Sequence, residues 1–228
     1  MCTITFFPLA KDKFVLTTNR DEQPERKTLS PMEYIHNGST LIYPKDLKAG
    51  GTWVAANTNG RVASLMNGGK VPHVRKESYR LSRGIVMIEL LQTKNVISFL
   101  NQFSFSDIEP FTIILIEPQK QLNIHYKAYE IIWDEETLHQ RALPWEPQIW
   151  SSTPLYTREI HQKRIEWFSE FINTNQDITP DDLWHFHHTA GNGDKTNDLI
   201  MDRGFIHTKS ITQFTNDGTI KYKYEEVS

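Results

Sequence analysis

The sequence predicts an α+β protein in which two groups of strands are layered with pairs of helices. Three observations carry that reading. Short runs rich in β-branched and aromatic residues gather in residues 3–66 and again in residues 112–133. Each group is followed by segments with apolar residues at helical spacing. A last pair of strand-like runs closes the chain around Asn216-Asp217-Gly218. Strands, helices, strands, helices, strands is the order expected when helices cover both sheets.

Element by element, Thr3–Phe7 and Phe14–Thr18 read as strands joined through Pro8–Asp12. Leu41–Tyr43, Thr52–Ala56 and Arg61–Met66 follow, and Asn57-Thr58-Asn59-Gly60 is hairpin-turn chemistry between the last two. Leu81, Ile85, Ile88 and Leu91 give Ser78–Leu91 helical spacing, and Val96–Phe103 continues helical. Thr112–Ile116, Leu122–Lys127 and Glu130–Trp133 form the second strand group. Thr157 caps a helix with Glu159 in its first turn and Ile160, Trp167, Phe168 and Phe171 along one face. Thr179-Pro180-Asp181-Asp182 opens another, with a cap, a first-turn proline and two acids on the positive dipole end. His207–Phe214 and Thr219–Tyr224 make the closing hairpin.

Composition excludes several classes. The chain has 228 residues, enough for one large domain with a proper core, and the sequence is read as a single domain over 1–228. Its net charge of −3 is spread among interleaved acids and bases, so no basic face for nucleic acid is expected. No run approaches the roughly 18 apolar residues of a membrane span, and no stable membrane insertion is expected. Pro8, Lys11, Asp12 and Lys13 interrupt anything like a signal peptide. One cysteine precludes an internal disulfide. A cytoplasmic protein is the expectation; oligomeric state is silent.

That lone cysteine stands directly after Met1. Loss of the initiator methionine leaves one residue with both a thiol and a free α-amine. The amine has a reference pKa of about 7.7–8.0 and can take a proton near neutrality. The thiol, near about 8.5, is nucleophilic as thiolate. Cys2 can then be nucleophile and general base together. Such a site needs a carboxylate for the ammonium, a cation for the thiolate and amide donors for an oxyanion. Asn19-Arg20-Asp21-Glu22 and the downstream asparagines supply those types. The bland alternative is a small buried hydrophobe in an N-terminal strand.

Met1-Cys2-Thr3, Asn19-Arg20-Asp21-Glu22, Gly50-Gly51-Thr52-Trp53, and Asn57-x-x-Gly60-Arg61-Val62-Ala63 with Asn67 behind it resemble the NRDE-motif family, also called the transport and Golgi organisation family. Thr208–Thr212 and Tyr224-Glu225-Glu226 are similar to that family's C-terminal hairpin. The resemblance implies a four-layer αββα sandwich of the N-terminal-nucleophile hydrolase type, with mostly antiparallel sheets. A more distant likeness runs to bile-salt hydrolases and penicillin V acylases. By that likeness Asp21 holds the Cys2 amine and Asn57 donates to an oxyanion. Thr18 stands where those acylases carry an arginine, so Arg20 takes over the cation's role. The expected catalytic residues are Cys2, Arg20, Asp21 and Asn57, with Asn19, Glu22, Trp53 and Asn67 toward the substrate.

The expected function is hydrolysis of a small amide or acyl substrate, with no cofactor and no metal. The competing class is a non-catalytic carrier of the same fold, holding haem or acyl-coenzyme A. Other features keep two readings. Gly50-Gly51-Thr52-Trp53 suits either backbone approach to a ligand, with Trp53 as pocket wall, or a tight turn into a buried strand. Glu22 can orient Arg20 or sit solvated in a loop. His185, His187 and His188 invite a metal, yet only 185 and 188 share a helical face and no Cys or acid stands with them.

Overall fold

The fold is that of a computed structural model, which describes residues 2–119 and 126–227 and, at Cys2, the backbone alone. Two compact units divide the chain, Met1–Glu25 with Trp145–Ser228, and Arg26–Pro144. Strands β1 (Cys2–Ala10) and β2 (Lys13–Glu22) open the first unit and pair antiparallel, with Cys2 in register with Arg20 and Thr3 with Asn19. The chain then builds the whole second unit before returning. That unit holds β3 (Thr28–His36), β4 (Ser39–Asp46), β5 (Val54–Asn57), β6 (Val62–Asn67), α1 (Arg83–Gln92) and α2 (Val96–Gln102). After them come β7 (Phe111–Pro118), β8 (Tyr126–Trp133) and β9 (Leu138–Leu143), and the seven strands lie side by side in chain order. Back in the first unit follow β10 (Gln148–Ser151), α3 (Arg158–Thr174), α4 (Pro180–Thr189), β11 (His207–Asn216) and β12 (Ile220–Glu226). Its sheet runs β10-β1-β2-β11-β12, antiparallel throughout.

In the first unit, α3 and α4 pack on one face of the sheet through Val15, Phe168, Leu183, Phe186 and Leu199. Both helices start where their caps dictate. Thr157 accepts from the Ile160 N–H at 3.3 Å, and Thr179 with Asp182 forms a reciprocal capping box. Strand alternation decides what else meets that face. Along β2, Val15, Thr17, Asn19 and Asp21 contact the helix side, whereas Phe14, Leu16, Thr18 and Arg20 occupy the alternate positions.

The second unit places α1 and α2 against its sheet through an apolar cluster that includes Leu41, Leu65, Met87, Leu91, Phe111, Ile113 and Trp133. Two glycines permit the close seat of α1. A Cβ on Gly84 would meet the Thr52 carbonyl oxygen at 2.5 Å, and one on Gly51 would meet the Gly84 carbonyl carbon at 2.7 Å. The close backbone approach at Gly50-Gly51-Thr52-Trp53 is therefore to a helix of the same unit. Trp53 is buried at the entry to β5, and its carbonyl accepts from the Leu65 N–H at 2.7 Å.

Three strands escaped the sequence reading, and all three are sheet edges: β3, β9 and β10. Edge strands need no continuous apolar face, so they carry little period-2 signal. β3 even holds Pro31 beside an irregularity in its register, which an edge tolerates. Its hairpin signal lay in the turn, because Asn37 and Gly38 both adopt positive φ, 48° and 80°. The helix expected over Ser78–Leu91 begins only at Arg83. Arg80 is drawn away instead, its N–H donating to the Asp107 carbonyl at 2.9 Å and its guanidinium to the Ser104 and Ser106 carbonyls. The strand expected at Leu122–Lys127 falls largely outside the described residues; β8 is described from Tyr126.

Candidate active site

The end of β2 splits its four polar residues between the two faces of the sheet. Asn19 and Asp21 turn toward the helices, and Arg20 stands on the alternate face with Glu22 3.9 Å away. The chemistry of the two pairs differs accordingly.

Asp21 is fully buried and accepts from Tyr156 Oη at 2.7 Å and from Thr208 Oγ1 at 2.8 Å. Thr208 also accepts from the Met201 N–H at 3.0 Å, and its one hydrogen lies between the carboxylate and the Leu199 carbonyl, 3.2 Å away. Burial pushes the Asp21 carboxyl above its ordinary range, against the pull of the Arg164 charge and the Tyr156 and Thr208 hydroxyls. Arg164, almost wholly buried on α3, lies 3.7 Å over the Tyr156 ring. Its guanidinium donates to the Asn197 and Asp198 carbonyls at 2.9 Å each, and to Thr3 Oγ1. Burial next to the Asp21 charge raises the Tyr156 phenol far above its ordinary value, so it donates and does not ionise.

Asn19 ties the same face together one pleat earlier. Its amide nitrogen donates to the Leu199 carbonyl at 2.8 Å and the His187 carbonyl at 3.1 Å, which orients the amide. Its oxygen therefore faces His187 Nδ1, at 2.5 Å, and Nδ1 must carry the proton. His187 Nε2 is then the acceptor for the Thr5 hydroxyl at 2.7 Å. Burial, with His188 and Arg164 nearby, holds His187 down to about 3, a neutral imidazole at every physiological pH. The histidines do not converge: His185 is exposed, and His188 lies 3.3 Å from Glu225. Asn19, expected toward substrate, has both ends of its amide engaged by protein.

On the opposite face, Arg20 is 2% exposed and is in register with Cys2 on one side and Ser210 on the other. Tyr224 comes from β12, with its hydroxyl 3.3 Å from Glu226; burial first, and Glu226 second, push its phenol up to about 12. Of the expected catalytic residues, Cys2, Arg20 and Asp21 share the ends of two paired strands. The Cys2 thiol lies outside the described residues.

The profile of the Transport and Golgi organisation 2 family matches residues 1–214. The chain belongs to that family. No curated protein matches it in sequence. Its structure is similar to a Caenorhabditis elegans orthologue of N-acylethanolamine-hydrolyzing acid amidase, at 10% identity and a TM-score of 0.63, covering 93% of this chain and 92% of that one. A mutant conjugated bile acid hydrolase from Clostridium perfringens gives a TM-score of 0.57 at 8% identity, over 100% and 92% of the two chains. Penicillin V acylase from Agrobacterium tumefaciens gives 0.53 at 10% identity, over 100% and 86%. This member of the family therefore has the α+β fold of N-terminal-nucleophile hydrolases.

The remaining expected residues of this Transport and Golgi organisation 2 member sit in the second unit. Asn57 is buried, and its amide oxygen accepts from the Asn59 and Arg61 N–H groups at 3.0 and 2.9 Å. Its nitrogen donates to the Leu91 carbonyl at 3.0 Å, near the end of α1. These bonds close the β5–β6 turn and clamp it to the helix. Asn67 ends β6 opposite Phe111. Sequence reasoning missed Tyr156 and Arg164 altogether, and it met His187 only as a metal candidate and Thr208 only as part of the closing hairpin, without the roles they have here. Nothing local marks them, because each acquires its meaning only from Asp21 or Asn19, distant in the chain. Among the described residues no helix is long and apolar enough to cross a membrane.

Proposed function

We propose that the chain is an N-terminal cysteine amidohydrolase acting on a small amide or acyl substrate. The observation that carries this is Asp21: a fully buried carboxylate next in sequence to the register partner of Cys2. A structural strand end has no need of such a group, since burying a carboxylate is costly even with the Tyr156 and Thr208 hydroxyls donating to it. With Met1 removed, the Cys2 amine takes the thiol proton and the thiolate attacks the carbonyl carbon. The tetrahedral oxyanion collapses, the amine returns the proton to the leaving nitrogen, and water hydrolyses the resulting thioester. Asp21 holds the ammonium form, and Arg20 favours thiolate over thiol. The activities named for the structural neighbours, each on a small acylated molecule, support this class. The lone cysteine supports a cytoplasmic setting. One-domain organisation belongs to the same reading: the first unit is built from both chain ends, so neither unit is one end of the chain that a single cut would release.

Intact mass should show loss of Met1. Inserting one glycine between Met1 and Cys2 converts the α-amine into a peptide nitrogen, which is no base near neutrality. Hydrolysis across a small acyl library should then fall by about 10²–10⁴-fold. Activity that survives the insertion removes the mechanism. Saturable haem or acyl-coenzyme A binding with no hydrolysis in either form points to the carrier class instead.

A further inference from the structure

Tyr156 touches both a buried cation and a buried carboxylate, and its place in the chain is fixed from both sides. The Ser152 carbonyl accepts from the Leu155 and Tyr156 N–H groups at 3.2 and 3.1 Å, a single turn that delivers Tyr156 to the α3 cap, Thr157. Arg164 follows the cap by seven residues, two turns of helix, and so returns to the same side. Its guanidinium carbon lies 3.7 Å from the centre of the Tyr156 ring, and that of Arg203 lies 5.4 Å from it. Arg203 also donates to the Leu155 carbonyl at 3.0 Å, so two arginines seat the ring.

Every bond that Arg164 makes among the described residues goes to a neutral oxygen. The acceptors are Thr3 Oγ1, Ser151 Oγ at 3.4 Å, and the Asn197 and Asp198 carbonyls. It forms no ion pair there with Asp21, although its charge pulls on that carboxyl. A buried arginine beside a buried carboxylate would ordinarily close onto it as a bidentate pair. Here Tyr156 meets the cation with its ring and the anion with its hydroxyl, 2.7 Å from Asp21 Oδ2. The two ions are both held, and they do not bond to each other.

We propose that Tyr156 is a positioning residue for the Cys2 reaction, a spacer that keeps the Arg164 guanidinium off Asp21 so that the carboxylate is directed to the α-amine. This rests on the hydrolase reading above and adds a residue to it. Tyr156 acts through Asp21, on the helix side of the sheet, whereas Arg20 stands on the alternate face. Around Asp21, α3 brings Arg164, and β11 brings the Thr208 hydroxyl, with Lys209 beside it held on the Pro24 carbonyl. α4 brings His187, neutral, behind Asn19, and the start of β1 brings the α-amine in the proposed reaction.

Two substitutions separate the hydroxyl from the ring. Tyr156→Phe keeps the spacer and removes a donor that lowers the Asp21 carboxyl, so Asp21 should titrate at higher pH. Tyr156→Leu removes the ring, lets Arg164 close onto the carboxylate, and should move the same titration to lower pH. The Asp21 carboxyl carbon, followed by NMR and assigned with Asp21→Asn, reports both without reference to turnover. On the acid limb, kcat/KM of the Phe variant should fall about tenfold, while its alkaline plateau stays within about twofold. The Leu variant should lose about 10²-fold or more at every pH, because the amine loses its carboxylate. Tyr222→Phe, exposed on β12, should change neither reading. Thermal melts check folding, and if the Leu variant does not fold, the Phe variant decides alone. An Asp21 titration unchanged in the Phe variant, or moving the same way in both variants, overturns the proposal. The hydrolase reading fails separately, through hydrolysis that survives the glycine insertion.

Discussion

Each unit lays two helices on an antiparallel sheet, but the two interfaces are made of different material. In the second unit the contact is chiefly apolar, from Leu41 to Trp133, with the Asn57 bond to the Leu91 carbonyl at its margin. In the first, the apolar cluster around Val15, Phe168 and Phe186 gives way, toward the start of β1 and the end of β2, to Asn19, Asp21, Tyr156, Arg164, His187 and Thr208. An apolar interface has to match only in shape, since hydrophobic burial has no direction. A buried polar one must be satisfied atom by atom, because each orphaned group costs about 1–3 kcal/mol, and more if charged. Interiors that break the apolar rule in this way are where sites are expected.

Arg164→Met tests the contrast most severely. It keeps the stem but strips donors from the Asn197 and Asp198 carbonyls and removes the cation near Asp21. Urea unfolding should report a loss of about 3–5 kcal/mol. Phe111→Ala in the second unit should cost a similar amount through its cavity. The two differ in pH dependence. The Arg164→Met loss should grow as pH rises and Asp21 ionises, while the Phe111→Ala loss should stay flat. Two flat profiles would dissolve the distinction between the units.

The polar interface should also carry its own acid sensitivity. His187 is held at about 3 when folded, against about 6.5 unfolded. Its contribution is complete above about 6.5 and is lost as pH falls from there toward 3, because the unfolded chain takes the proton first. Asp21 has the opposite sign: with its carboxyl raised, stability falls as pH climbs from 3.8 through the folded value. His187→Gln should therefore reduce the slope of stability against pH between about 6 and 4 by up to about 1.4 kcal/mol per unit. An unchanged slope would mean His187 titrates normally.

A smaller effect is expected at Asn57, on the apolar side of the comparison. Asn57→Ala orphans the Asn59 and Arg61 N–H groups and should cost about 1–3 kcal/mol. Turnover falling in step with stability assigns Asn57 to its turn. Turnover falling by a further factor of about 10² or more in well-folded protein assigns it to an oxyanion. Smallest is Thr179→Ala, which removes half of the α4 capping box and should cost about 1 kcal/mol by thermal melting, a loss that shrinks in acid because the Thr179 hydroxyl holds the Asp182 carboxyl below its ordinary value.

Local chemistry was enough for much of the molecule. The caps at Thr157 and Thr179, the Asn57–Gly60 turn, the inner strands and the α+β class were legible because a few neighbouring residues suffice to encode them. Asn19-Arg20-Asp21-Glu22 was legible as a site, but as one polar cluster. Pairing with β1 and β11 turned it into two, since adjacent residues of a strand face opposite ways. Asn19 became a brace for α4, and Asp21 became a carboxylate enclosed by Tyr156 and Thr208, 135 and 187 residues away. Gly84 read as one more helix residue until Thr52 was found 2.5 Å from where its side chain would be. The edge strands β3, β9 and β10, the buried acceptors and the close backbone contacts share a physical reason for their silence: each depends on what lies across from a residue in space, and that is set by packing between segments apart in the chain.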